Sequence, residues 1–180
     1  MWDAGASEES LRGRALAASA ALLFAAVILQ VSVVARLNLP VGRPDLVLTL
    51  LAMVALIEGP MIGALLGFLV GLFGDLLSTH VLGQSALVLC LVGYLVGHLL
   101  DATERTIVVP LLAVGGAVAL GTLGHAAGTA IFGDAALTGS QAVVRALTAG
   151  LYGMLLTPFL LPLLTAAARR LRGERRGGRL

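Results

Sequence analysis

Lysine is absent and cysteine nearly so: all 12 basic residues are arginine, and Cys90 is the only thiol in 180 residues. The lysine deficit points to codon bias and carries no mechanism. A lone cysteine in an apolar run cannot form an internal disulfide and lacks the companions of a structural zinc site, so it reads as a small packing residue. Charge is also scarce, at 12% against 58% hydrophobic residues, with a mean hydropathy of +0.99. No stretch outside the apolar runs is long enough for a soluble domain, which makes the chain an integral membrane protein. Catalytic signatures are missing too. There is no phosphate-binding loop, no Gly-x-Ser-x-Gly elbow and no His-Glu-x-x-His, and the three histidines stand far apart. Nothing points to an enzyme, a cofactor or a resident metal, and hydrogen-bonded polar residues are a simpler account of His80, His125 and Asp75 than a metal site.

What is present is a series of six apolar runs. Residues 1–14 hold Asp3, Glu8, Glu9, Arg12 and Arg14 and have the composition of a short disordered tail. Ala15 to Ala35 is uncharged and long enough to span, as an uncleaved first helix. Pro40, Gly42 and Pro44 break the chain, and Asp45 is placed to open a short second run, 46–57, which spans only if thin or tilted. Glu58-Gly59-Pro60 turns into the third run, and 78–84 turns into a fourth, 85–100. A charged turn at 101–105, a fifth run at 106–131 and a loop at 132–141 lead to the sixth run, 142–168, where Pro158 and Pro162 predict a kink. The end, 169–180, carries six arginines and one glutamate. The expected class is all-α, a polytopic membrane protein with six transmembrane helices in 15–168, a tail at 1–14 and a basic tail at 169–180.

Six spans put both termini on one side, and the arginines of the two tails, with Arg105, make that side cytoplasmic against Arg36, Arg43 and Arg145 opposite. Glu58, His98, Asp101 and Arg105 then gather near the inner face. Asp75, His80, His125, Asp134, Arg43 and Arg145 gather near the outer one. The arginine tail serves as a topology determinant, with attraction to anionic lipid of about 1 kcal/mol per residue. Nucleic-acid binding is not needed to explain it.

The third run is the most informative stretch. At about 100° per residue, Gly63, Gly67, Gly71 and Gly74 share a wedge of about 80°, Asp75 flanks it, and Leu65, Leu69, Leu72 and Leu76 fill the other side. Glycines on one face let another helix approach closely in lipid, whereas leucines face acyl chains. This predicts a helix-packing or partner interface at Gly63, Gly67, Gly71, Gly74 and Asp75, intolerant of Gly67→Leu or Gly71→Leu and indifferent to Leu69→Ile. If Glu58 marks one interface, Asp75 lies about 25 Å along the axis, under the opposite one. Its carboxylate either snorkels to water or is paired, with Arg145 as the favoured ion-pair partner and Arg43 behind it. A proton relay through Asp75 is the other alternative. In the fourth run Cys90, Tyr94, His98 and Asp101 share one side, bordered by Gly93 and Gly97. In the fifth, Gly121, Gly124, His125 and Gly128 cluster on one face.

Pro44-Asp45-Leu46-Val47-Leu48, then Gly63-Ala64-Leu65-Leu66-Gly67-Phe68, Gly71-Leu72-Phe73-Gly74-Asp75-Leu76-Leu77-Ser78, Leu82-Gly83-Gln84-Ser85-Ala86-Leu87 and Gly93-Tyr94-Leu95-Val96 resemble the rod-shape-determining MreD family. Thr79-His80-Val81 stands where small residues often precede Leu-Gly in that family, and Ala149 stands where an asparagine can occur. The resemblance implies a non-enzymatic inner-membrane scaffold of the cell-elongation and peptidoglycan-synthesis machinery. It further implies association with an MreC-like single-span protein, and through it with a RodA-type glycosyltransferase, its transpeptidase and MreB filaments. The family is also similar to the substrate-binding components of energy-coupling-factor vitamin transporters, six-helix membrane proteins of the same size. That makes a small-ligand carrier the alternative, for which Ala17, Ala21 and Ala25 offer the small-residue spacing that docks the transport partner. The outer polar cluster of Asp75, His80, His125 and Arg145 is sparse for recognising a polar vitamin.

Overall fold

The computed structural model describes residues 3–32, 44–77, 82–99, 108–131 and 139–171. Arg36, Arg43, His80, Asp101, Arg105, Asp134 and the arginines from 172 onward lie outside them. The described residues form six helices: α1 (Asp3–Ser32), α2 (Leu46–Glu58), α3 (Pro60–Leu77), α4 (Gln84–Gly97), α5 (Val108–Ile131) and α6 (Gly139–Leu171). Three of them, α3, α5 and α6, are long and apolar enough to cross a membrane, and the apolar parts of the others, 16–32, 46–58 and 84–97, are shorter. Two expected boundaries are corrected. The stretch before Ala15, expected as a disordered tail, is helical from Asp3, and α6 starts at Gly139 inside the expected loop. α6 stays helical through Pro158 and Pro162.

α2 occupies the centre. It packs against all five other helices, which form a closed ring around it in the order α1, α3, α4, α5, α6. The reason is compositional: Leu-Val-Leu-Thr-Leu-Leu-Ala-Met-Val-Ala-Leu-Ile has no polar face, and a helix apolar all round is stable only when enclosed. Every residue from Val47 to Leu56 except the half-buried Leu50 is buried. The one polar side chain among them, Thr49, donates its hydroxyl to the Asp45 carbonyl at 2.6 Å and so brings no unsatisfied group into the core. The outer surface is as apolar as the core. Met61, Leu65, Leu87, Leu151, Leu155 and Phe159 are all more than half exposed, a pattern that suits hydrocarbon and not water.

The ends of α2 are defined locally. Asp45 caps the N-terminus by accepting from the Leu48 amide at 3.0 Å. At the other end Gly59, at φ 92°, makes a turn that residues with a Cβ rarely adopt, and Pro60 opens α3. At 13 residues α2 is about 20 Å long, against about 36 Å for the 24 residues of α5. The ring therefore overhangs the central helix. At the Glu58 end, Ala18 and Ser19 of α1 line one pocket with Ala167 and Ala168 of α6.

Candidate functional site

The end of the bundle near Asp45 brings together the polar residues of greatest interest, and the glycines of α3 are what place them. A Cβ at Gly63 would sit 2.6 Å from the Gly93 carbonyl oxygen, and one at Gly71 would meet the Ser85 oxygen and the Ala86 amide at 2.6 Å. At Gly67 it would meet the Leu89 carbonyl. Three glycines spaced by four thus let the backbones of α3 and α4 touch along three turns, with Gly93 and Gly97 reciprocating from α4 against Gly63 and Pro60. Gly74 is different. Its nearest neighbour is Val27 of α1, 4.0 Å from a built Cβ, so it belongs to another contact. On the far side of α3, Leu65, Leu69 and Leu76 are exposed and Leu72 is half-buried.

Asp75 follows Gly71 by one turn and therefore faces the same partner. Where Gly71 meets the backbone of Ser85 and Ala86, Asp75 meets the amides that open α4. Its Oδ2 accepts from Gly83 at 2.8 Å and from Ala86 at 3.4 Å, and the Ser85 amide is 3.2 and 3.1 Å from its two oxygens. The first amides of any helix have no partner within it. The N-cap position of α4 is Gly83, at φ 95° and without a side chain to accept from them, so a carboxylate from the preceding helix does so. The side chain is 2% exposed. A negative charge at the positive end of a helix is favourable, and here it is enclosed where water screens it little.

Arg145, the favoured partner, is exposed on α6, and α6 is not among the helices that pack on α3; Arg43, named behind it, lies outside the described residues. Asp75 itself is buried and accepts from the amides of Gly83, Ser85 and Ala86. His98 and Tyr94 lie at the opposite end of α4, exposed and in edge-on ring contact at 4.6 Å, so the polar side of α4 faces outward.

Beside the Asp75 clamp, where the ring overhangs α2, lies a cavity of about 310 Å³. Its apolar wall is Val27, Val31, Val47, Val70 and Leu89. Its polar lining is Gln30, Asp45, Gln84, Ser85, His125 and Thr129, drawn from α1, α4 and α5 and from the cap of α2. Gln30 is held twice: its Nε2 donates to Asp45 Oδ1 at 3.3 Å and its Oε1 accepts from the Leu46 amide at 2.9 Å. Gln84 Nε2 donates to the His125 carbonyl at 3.0 Å, through the space left by Gly128. Of the described members of the outer cluster expected from sequence, His125 lines this cavity and Asp75 and Arg145 do not. Gln30, Gln84, Ser85 and Thr129 were missed because uncharged side chains near the ends of apolar runs look like ordinary helix-end residues. A signal did exist in Gln30, a carboxamide next to the end of an otherwise apolar run.

The arrangement holds no nucleophile set against a base, and no group of three metal-ligating side chains occurs among the described residues. What it offers is binding and rigid helix packing. Comparison with curated proteins and with solved structures finds no match. The sequence itself does match a family: residues 14–166, which include the α3–α4 seam, Asp75 and the cavity, fit the one described as rod shape-determining protein MreD. With most of its length matched, the chain belongs to the MreD family of rod-shape-determining membrane proteins.

Proposed function

We propose that the protein is a non-enzymatic scaffold of the cell-elongation and peptidoglycan-synthesis machinery in the bacterial inner membrane, where it holds an MreC-like single-span partner. All six helices lie within the bilayer on this reading, with both termini cytoplasmic. Family membership is the observation that carries it. The packing of α1 against α6 supports an even number of crossings, and the arginine-rich ends favour the side of the termini as cytoplasmic. The glycine face of α3 is filled by α4, so the partner contacts the apolar outer surface of the ring rather than that face. A RodA-type glycosyltransferase and its transpeptidase are engaged through the partner.

A second reading, a substrate-binding component of an energy-coupling-factor type transporter, is favoured by two observations. The cavity above α2 is large enough for a small molecule, and Ala17, Ala21 and Ala25 are all exposed along α1. Purification in mild detergent separates the two. An MreC-like single-span protein should be retained in stoichiometric amount. Retention of paired ATPases with a bound vitamin, and no single-span protein, would replace the scaffold by the carrier.

A further inference from the structure

We propose that the cavity above the N-terminus of α2 is a binding site for a small amphiphile with a primary ammonium head. The site lies beside the first turn of α2, where the longer helices α1 and α5 contribute Gln30, His125 and Thr129. Its volume, about 310 Å³, is roughly ten times the share of one water in the liquid. It also reaches the range of small-molecule pockets, about 300–1,000 Å³.

The chemistry of the lining selects the ligand. Asp45 is the acid at the floor, and among the described residues no arginine lines the cavity. Gln84 spends its Nε2 on the His125 carbonyl, which leaves its Oε1 as an acceptor toward the cavity. Thr129 spends its hydroxyl proton on the Ala126 carbonyl at 2.9 Å, which leaves its oxygen as an acceptor as well. An ammonium group carries three donors and no acceptor, the complement of a carboxylate, a carbonyl oxygen and a hydroxyl oxygen. The valines and Leu89 then take an alkyl body. A carboxylate ligand would meet Asp45 with like charge, with His125 the one lining side chain among the described residues that can carry a positive charge. The inference does not depend on the scaffold reading, since it rests on the cavity and not on any partner.

The test uses the full chain in mild detergent, with the melting temperature followed against n-hexylammonium chloride, n-hexanol and sodium hexanoate at matched ionic strength. Hexylammonium should give a saturable rise, hexanol a smaller one and hexanoate none. Asp45→Asn keeps a good helix cap, so the fold persists, and it should remove the advantage of hexylammonium over hexanol. Gly74→Leu should fill the cavity and abolish both responses, because its Cβ meets nothing closer than 4.0 Å. Equal shifts with hexylammonium and hexanoate in the unaltered chain would overturn the proposal. So would an undiminished hexylammonium shift in both variants.

Discussion

Replacing Asp75 distinguishes a carboxylate that caps a helix from one that pairs with an arginine. In Asp75→Ala the amides of Gly83, Ser85 and Ala86 lose their acceptor in a place only 2% exposed, where water cannot readily substitute. Each stranded donor costs about 1–3 kcal/mol, and because the Ala86 contact is long the total is about 3–5 kcal/mol. Asp75→Asn keeps one acceptor oxygen but loses the charge at the helix N-terminus and turns an NH₂ group toward donors, for a loss of about 2 kcal/mol. At about 2–4 °C per kcal/mol for a chain of this size, Asp75→Ala should lower the melting temperature in detergent by on the order of 10 °C, and Asp75→Asn by about half that. Arg145→Ala, at an exposed position, should stay within about 0.5 kcal/mol of the unaltered protein. Hydrogen exchange adds a local readout, since the amides of 83–86 should lose protection before the rest of α4. An Asp75→Ala protein that melts with the parent would refute the clamp, and an Arg145→Ala loss as large as that of Asp75→Ala would restore the ion pair.

Two further outcomes are expected. Gly67→Ala and Gly71→Ala should each destabilise by about 1–3 kcal/mol or more, because the new methyl meets α4 backbone that cannot step aside, while Gly74→Ala should be silent. Equal tolerance at all three positions in a detergent melting series would show that the α3–α4 seam is looser than described. Reporter fusions at residue 180 should be active only with a cytoplasmic reporter and fusions in 132–138 only with an external one; an external C-terminus would end the six-crossing reading.

The helices themselves were largely legible, because long apolar runs bounded by Gly, Pro and charge leave few other choices. The glycine spacing pointed to a close-packed face, and Gly63, Gly67 and Gly71 lie against the backbone of α4. Gly74 shows the limit of that argument: it shares the wedge in projection, yet by the end of α3 the neighbour across that wedge is α1. The partner of Asp75 was not legible, since backbone amides leave no trace in side-chain identity. The available clue was Gly83, a helix start with nothing of its own to cap it. The central position of α2 was not read from the sequence, although its lack of any polar face was the available guide to it.

The enclosure of α2 also has a consequence in time. The ring that shields it is completed only where α1 meets α6, the first helix with the last, so the wall stays open until the final third of the chain has been made. Domains emerge from synthesis N-terminus first. α2 is therefore among the earliest helices made, and its surroundings are complete only when α6 has been made. A chain stopped before Gly139 keeps every residue of the Asp75 clamp and still lacks one side of the housing around its central helix. The housing of the central helix thus draws on both halves of the sequence.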